Sequence, residues 1–411
     1  MSPFRITPIE NGSVTSVPGF QAAGVACGLK PNGALDFALV HATRPCVAAA
    51  LFTTNAFKAA PVLYDQRILA QNASGLRAVA INSGCANACT GEQGLRDAAA
   101  TAEAVGQALG VAPKSVMVMS TGVIGKPLPM ASILAGVSQA AAALATGVEA
   151  GHIAARAIMT TDTRPKEAAA LVAVGAYKFV VAGMVKGAGM IHPNMATMLS
   201  VITTDARISP ELAHKALAAA ADQSFHCMTV DGDTSTNDTV LLMANGAAEM
   251  PTIVSESAVE YRALVAGLTH VAQELAKAVA RDGEGATRFV TIAVRGARRV
   301  AEARQVGKAV AHSPLVKTAI YGQDANWGRI ICAVGYSGVP VDPLKVRVWL
   351  GDLELFREGG PYHVDEEHAK ELLAQHDITI TIDLGEGSES TTIWTCDLSH
   401  EYVSVNAHYR T

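Results

Sequence analysis

The sequence is poor in charged and aromatic side chains, and it has no dense block of basic residues. Only 17% of its 411 residues are Asp, Glu, Lys or Arg and 5% are aromatic, whereas half are apolar. The formal net charge is −5, and no basic run is interleaved with aromatic residues. This composition indicates a globular chain with a large core, and it argues against disorder and against nucleic-acid binding.

Long uninterrupted apolar runs are also missing. Residues 1–8 contain no apolar segment of signal-peptide length. The most apolar long stretch, residues 131–159, is interrupted by Glu149, His152 and Arg156. It therefore predicts Ala-rich helices rather than a membrane span. We expect a cytoplasmic protein that does not associate with membranes.

The cysteines form no recognisable disulfide or zinc pattern. Their number, seven, is odd, and their spacing is irregular. Cys85 and Cys89 are four positions apart, but no second pair or nearby histidine completes a zinc site. The acidic run from Asp231 resembles a calcium loop only superficially, because its sixth position is Thr236 and its twelfth is Leu242. We expect reduced thiols and no metal site.

The most informative segment that is present lies at the midpoint of the chain, at residues 186–199. It is rich in glycine, contains a proline, and places Ala196 directly before Thr197. A threonine hydroxyl inside a chain is a weak nucleophile, but cleavage of the Ala196–Thr197 bond would give Thr197 a free α-amino group as its own base. That group has an ordinary pKa of about 8, close to working pH. The segment therefore predicts a self-processing site.

Alternating strand and helix patterns run along the whole chain without a strict βαβ rhythm, which predicts an α/β sandwich of layers. A buried strand is predicted to end at Thr121 and Gly122, and another to end at Lys186. Residues 315–320 are predicted as a strand. Residues 378–384 and 390–397 are predicted as an antiparallel pair.

Short motifs in matching order give the sequence a resemblance to a known family. The motifs are GFQAAGV (19–25), INSG (81–84), STGVIG (120–125), TTDT (160–163), KGAGMIHPNMATML (186–199), VDGDTSTND (230–238), DGEGAT (282–287) and DANWGR (324–329). Together they resemble the ornithine acetyltransferase family, the glutamate N-acetyltransferases of arginine biosynthesis. The resemblance implies the layered α/β fold of the self-processing ornithine acetyltransferase and D-aminopeptidase-like type. It also implies an α chain of residues 1–196 and a β chain of residues 197–411.

The same resemblance implies an activity and its site. Acetyl transfer from N-acetylornithine to glutamate would proceed through an acetyl ester on the nucleophile Thr197, with Thr121 and Gly122 as the oxyanion hole. His192 is interpreted as structural. The residues implied to bind substrate are Thr160, Thr161, Lys186, Thr197, Glu284, Asn406 and Thr411.

The resemblance implies no cofactor and an α2β2 assembly of processed chains. It leaves open whether acetyl-CoA serves as a second acetyl donor. Two other functions stay open from the residues alone. One is a self-processing amidohydrolase or aminopeptidase, since water can attack the same acyl-enzyme. The other is a non-catalytic binding protein that never cleaves.

Overall fold

The computed structural model describes residues 3–191, 198–362 and 365–408, which form fifteen strands and eleven α-helices. The strands are β1 (Phe4–Pro8), β2 (Phe20–Val25), β3 (Phe37–Phe52), β4 (Leu76–Cys85), β5 (Val116–Val123), β6 (Lys166–Val174), β7 (Tyr177–Lys186), β8 (Leu199–Thr204), β9 (Thr239–Ala244), β10 (Phe289–Ala297), β11 (Arg347–Leu350), β12 (Leu353–Arg357), β13 (Gly360–Pro361), β14 (Asp377–Asp383) and β15 (Glu389–Cys396). The helices are α1 (Ala60–Asn72), α2 (Gly91–Leu109), α3 (Met130–Ala142), α4 (Val148–Ala157), α5 (Pro210–Asp222), α6 (Val259–Arg281), α7 (Val300–His312), α8 (Pro314–Tyr321), α9 (Trp327–Gly335), α10 (Glu366–Ala374) and α11 (His400–His408).

The larger of the two sheets in the described chain has nine strands. Eight follow the order β1-β6-β7-β8-β9-β3-β4-β5, and β2 pairs with β3. β8 and β9 follow residue 197 in sequence, yet they lie between β7 and β3, which precede it. Segments from both sides of the predicted cleavage bond therefore build one sheet.

The strands at the centre of this sheet are buried on both faces. Along β7, Phe179 and Val181 face one hydrophobic core, whereas Ala182 and Met184 face another. This alternation follows from the two-residue period of a strand, and burial on both faces explains the nearly continuous apolar run. The strand then ends in the charged Lys186.

The second sheet has six strands within the described residues, in the order β13-β12-β11-β14-β10-β15. Helix α6 packs on β6 and β7 of the large sheet and on β15 of the small one. Its buried stripe, Leu264, Leu268, Val271, Leu275 and Val279, recurs every three or four residues, as an amphipathic helix requires. Apolar residues of both sheets share one core. The predicted layered α/β fold is confirmed.

Two local predictions are wrong. Residues 315–320 lie in the helix α8, where Pro314 occupies the first turn and the Ser313 side chain accepts a hydrogen bond from the backbone N–H of Val316. This cap favours a helix although the run is apolar. The segments predicted as an antiparallel pair, 378–384 and 390–397, do form strands β14 and β15. However, β10 lies between them, parallel to β14 and antiparallel to β15.

Strand ends of the large sheet converge at one edge. Lys186 at the end of β7 pairs with Leu199 at the start of β8, and Leu199 pairs with Thr239 at the start of β9. Thr239 pairs in turn with Phe52 at the end of β3. Loops that leave these strands therefore meet at the same place, and the candidate site lies there.

Candidate active site

A cavity of about 260 Å³ opens where these strand ends meet. Its size suits a small metabolite better than a large coenzyme. All seven predicted site residues that the structure describes line it. They are Thr121, Gly122, Thr160, Thr161, Lys186, Glu284 and Asn406. The chain thus brings together residues that are up to 285 positions apart, the separation between Thr121 and Asn406.

Thr121 and Gly122 lie in the last three residues of β5, and side chains of neighbouring elements fix this strand end. The side-chain amide of Asn237 donates to the backbone oxygens of Ala86 at 2.6 Å and of Ser120 at 2.8 Å. Gly122 has φ +126°, and a Cβ there would lie 2.4 Å from the backbone of Gly84 on β4. Only glycine fits this position, both conformationally and sterically.

Lys186, the last residue of β7, contacts the end of β5. Its Nζ atom donates to Oγ1 of Thr121 at 3.1 Å. Burial lowers the pKa of the Lys186 ammonium, and the nearby Asp162 carboxylate acts in the opposite direction. A positive charge close to the Thr121 hydroxyl would stabilise negative charge that develops beside it.

A buried network of ion pairs lies beside the cavity and holds two of the segments that line it. Lys166 bridges the carboxylates of Asp162 at 2.6 Å and Asp282 at 2.5 Å, and all three side chains are almost fully buried. Burial would raise the pKa of Asp162, but the ammonium groups of Lys166 and Lys186 hold it at about 2. Asp162 accepts hydrogen bonds from the backbone N–H groups of Thr160 and Gly187. The network therefore positions two cavity-lining segments.

Glu284 approaches the cavity because a glycine leaves room for it. A Cβ on Gly189 would lie 2.2 Å from the Glu284 carboxylate, so any other side chain would displace it. The backbone N–H of Glu284 donates to the Ala188 oxygen at 2.9 Å. The side-chain amide of Asn406, on α11, donates to Oε2 of Glu284 at 2.8 Å. The C-terminal helix is thereby attached directly to a predicted substrate-binding group.

Three predicted site residues, Ala196, Thr197 and Thr411, lie outside the described residues. Described residues on either side of Ala196 and Thr197 in the sequence do line the cavity. They are Met190 before these two residues and Met198 and Leu199 after them.

Sequence reasoning did not assign roles to several residues that line the same cavity. They are Ala86, Ile124, Gly189, Met190, Met198, Leu199, Asp231, Asp233, Ser235, Asn237, Asp238 and Tyr402. The density of acids and hydroxyls in residues 231–238 is the signal in the sequence that could have identified five of them. Asp231 accepts from the backbone N–H groups of Met190 at 2.6 Å and Ile191 at 2.8 Å. Burial raises the pKa of Asp231, and these hydrogen bonds oppose that effect.

Asp238 is the most deeply buried acid of this cavity, with 1% of its surface exposed. The backbone N–H groups of Met198 and Ser235 donate to its carboxyl group. Its Oδ2 atom has no hydrogen-bond partner among the described residues. Burial raises the pKa of Asp238 well above its usual range, while the Met198 hydrogen bond and the charge of Lys186 act to lower it.

Within the described residues, no group of three His, Cys, Asp or Glu side chains is arranged to hold a metal ion. The same part of the chain contains no helix that is both long and apolar enough to cross a bilayer. The cavity instead combines a strand end suited to an oxyanion, one buried cation and several acids. This set can bind a zwitterionic substrate and stabilise a tetrahedral intermediate.

Comparison with known proteins agrees with the motif resemblance. A family model described as "ArgJ family" matches residues 21–411. The chain belongs to the ArgJ family. The arginine biosynthesis bifunctional protein ArgJ of Symbiobacterium thermophilum is 50% identical over 403 residues, which cover 97% of this chain and 99% of that protein. The mitochondrial ArgJ of Yarrowia lipolytica is 47% identical and covers 97% of this chain and 95% of that protein.

A solved structure of an ornithine acetyltransferase complexed with ornithine, from Mycobacterium tuberculosis, is 44% identical to this ArgJ-family chain. The match covers 47% of this chain and 100% of that one, with a TM-score of 0.43.

Proposed function

We propose that this member of the ArgJ family transfers the acetyl group of N2-acetyl-L-ornithine to L-glutamate, giving L-ornithine and N-acetyl-L-glutamate for arginine biosynthesis. The observation that carries the proposal is the shared cavity. It is lined by the end of β5, by the buried Lys186 and by the acid Glu284. Met198, the residue that follows Thr197 in the sequence, lines it too. The names and identities of the relatives support the same activity.

Self-cleavage comes first in the proposed mechanism. The Thr197 hydroxyl oxygen attacks the Ala196 carbonyl carbon, the peptide C–N bond breaks, and an ester forms as the amino group of Thr197 is released. Water then hydrolyses the ester, which leaves a carboxylate on Ala196 and a free hydroxyl on Thr197. The products are residues 1–196 and 197–411, and the new α-amino group becomes the general base.

In the first half-reaction, the α-amine takes the Thr197 hydroxyl proton while the oxygen attacks the acetyl carbonyl of N-acetylornithine. The tetrahedral oxyanion would be stabilised by Thr121 and the Gly122 backbone N–H, with the Lys186 charge nearby. As the intermediate collapses, the C–N bond breaks and the proton passes to the departing α-amine of ornithine. An acetyl ester remains on Thr197.

In the second half-reaction, the α-amine of glutamate attacks the ester carbonyl. The C–O bond breaks and the hydroxyl of Thr197 recovers its proton. Lys186 and Glu284 supply opposite charges for the carboxylate and ammonium groups of these substrates, and charge-assisted hydrogen bonds are about twice as strong as neutral ones. Thr160, Thr161, Asn406 and Thr411 complete the proposed binding set.

Thr197→Ala tests this mechanism directly. We expect a folded single chain that releases no ornithine from N-acetylornithine, because it has neither hydroxyl nor free amine at position 197. Thr197→Ser, which keeps the hydroxyl, is the matched control and should retain measurable cleavage and transfer. Substantial turnover by the alanine variant would remove Thr197 from the mechanism. Acetate release at the same rate with and without glutamate would favour the amidohydrolase alternative.

We propose that the processed chains associate as α2β2, which light scattering of the purified protein would test. We propose that no cofactor is needed, and an assay with acetyl-CoA and glutamate decides whether acetyl-CoA is a second donor. We propose a cytoplasmic location, which cell fractionation tests. The Yarrowia lipolytica relative, by contrast, is named mitochondrial.

A further inference from the structure

One buried cation beside the cavity has no role in the mechanism above. Within the described part of the chain three lysines are buried, Lys166, Lys186 and Lys317, and of these only Lys166 forms salt bridges. Its side chain is 1% exposed, and its Nζ atom lies 2.6 Å from Asp162 and 2.5 Å from Asp282. Replacement of such a buried triad by apolar side chains is often neutral or stabilising, so stability alone does not explain it.

Asp162 connects this lysine to two segments that line the cavity. Its Oδ2 atom accepts a hydrogen bond from the backbone N–H of Thr160 at 2.9 Å, and its Oδ1 atom accepts one from the backbone N–H of Gly187 at 2.7 Å. Thr160 itself lines the cavity, and Gly187 directly follows Lys186. The carboxylate therefore fixes the segment of Thr160 relative to the end of β7.

Asp282 connects the same lysine to a third segment. It caps the C-terminus of α6 and lies two positions before Glu284, which lines the cavity. Its Oδ2 atom accepts from the backbone N–H of Thr163 at 3.1 Å, and its Oδ1 atom accepts from the Thr163 hydroxyl. The ammonium between the two carboxylates thus joins the three segments that carry Thr160, Lys186 and Glu284.

We propose that Lys166 is a positioning residue for substrate binding. Its ammonium sets the end of β7, the Thr160 segment and the Glu284 turn at distances that let them bind the two ends of one zwitterionic substrate. Lys166 acts through these segments, since it is not among the described residues that line the cavity. The inference rests on the proposed function, which assigns substrate binding to Thr160, Lys186 and Glu284.

Lys166→Met is the first test variant, because it removes the ammonium and keeps an unbranched side chain of similar length. We expect KM for N-acetylornithine and for glutamate to rise about 10-fold, because displaced groups lose charge-assisted contacts with the substrate. These contacts hold the substrate and the transition state alike, so kcat should fall by less than about 3-fold. Circular dichroism at the assay temperature confirms that the variant is folded. A lysine that only added stability would lower the melting temperature and leave KM of the folded enzyme unchanged.

Two further variants cover the case in which Lys166→Met does not fold, since it leaves two buried carboxylates without their cation. In Asp282→Asn, the amide oxygen can accept from Lys166 and from the Thr163 N–H, and the NH2 group can donate to the Thr163 hydroxyl. This variant removes one charge and retains the contacts, so KM should rise only about 3-fold. The double variant Lys166→Met/Asp282→Asn buries one unpaired carboxylate fewer. Because both positions act through one contact, its KM should rise about 10-fold rather than by the product of the single effects.

Glu167→Gln is the matched control. Glu167 follows Lys166 on β6, and its Oε2 atom lies 2.6 Å from Nδ1 of His152 on α4. The carboxylate is mostly buried, and it is not among the described groups that line the cavity. The same change of a paired carboxylate to an amide should leave KM and kcat unchanged here. A KM increase equal to that of Asp282→Asn would show that any altered buried charge has this effect, and it would overturn the role of Lys166.

The activity of the unsubstituted enzyme separates this inference from the proposed function. If that enzyme transfers no acetyl group from N-acetylornithine to glutamate, both fail. If it is active, and the folded Lys166→Met chain or the folded double variant keeps its KM values, only the role of Lys166 is wrong. A large loss of kcat at unchanged KM would also overturn the inference, because the defect would then lie in the chemical step.

Discussion

A single hydrogen bond joins two residues that the sequence places 65 positions apart. Nζ of Lys186 lies 3.1 Å from Oγ1 of Thr121, at the point where β5 and β7 end. Neither residue type signals a site by itself, since strand-ending threonines and solvent-facing lysines are common. Here the lysine is buried, and burial lowers its pKa. The contact places a positive charge near the hydroxyl, and such a charge would stabilise an oxyanion that formed there.

Thr121→Ala should slow both self-cleavage and acetyl transfer, because both pass through a tetrahedral oxyanion. Loss of one oxyanion donor typically costs about 100-fold in kcat, or more. The measurements are the rate of fragment formation on a denaturing gel and kcat with N-acetylornithine and glutamate. Thr121→Ser keeps the hydroxyl and should retain most of the activity. An alanine variant that works at the unsubstituted rate would exclude the Thr121 hydroxyl from the oxyanion hole.

Among the elements, α11 is unusual because none of its residues is buried. Two polar contacts connect it to the cavity. Asn406 donates to Glu284 at 2.8 Å, and the Tyr402 hydroxyl donates to Asp231 at 3.4 Å. A C-terminal helix without buried side chains contributes little to stability by the hydrophobic effect. Its contacts therefore indicate a role in the site rather than in the core.

Deletion of residues 406–411 should reduce kcat/KM at least about 10-fold while the melting temperature changes by no more than about 2 °C. Asn406→Ala is the companion variant, since it removes the Glu284 contact and leaves the rest of the tail. Calorimetry and the transfer assay measure the two effects. A truncated enzyme that keeps full kcat/KM would show that the tail has no part in substrate binding.

The elements also show what sequence patterns can and cannot predict. Strand β7 was predictable because its apolar run and terminal lysine are local features. The pairing of β14 was not, because β10, more than eighty residues earlier, inserts between it and β15. Asp238 was missed for a similar reason. Its burial and its contact with Met198 depend on the pairing of β8 with β9, and no local sequence pattern predicts that pairing.

At the scale of the whole molecule, the predicted cleavage point does not separate two bodies. β8 and β9 belong to the second predicted fragment, yet β7 and β3 of the first fragment flank them. Both fragments also contribute side chains to the same hydrophobic cores. Separation would expose the backbone groups of central strands and much of the apolar core, which is strongly unfavourable.

The two fragments should therefore remain associated after cleavage. We expect them to co-elute in size-exclusion chromatography under native conditions and to separate only in denaturant. The uncut Thr197→Ala chain provides a reference for the same mass in one piece. Fragments that part in native buffer would be incompatible with a sheet that interleaves their strands.

Denaturing mass spectrometry of the purified protein shows whether Thr197 becomes a chain terminus and the nucleophile. We expect two fragments of similar size, residues 1–196 and 197–411, the second beginning at Thr197. After incubation with N-acetylornithine alone, that second fragment should gain the mass of one acetyl group. A single intact chain of 42.5 kDa from a fully active preparation would contradict this expectation.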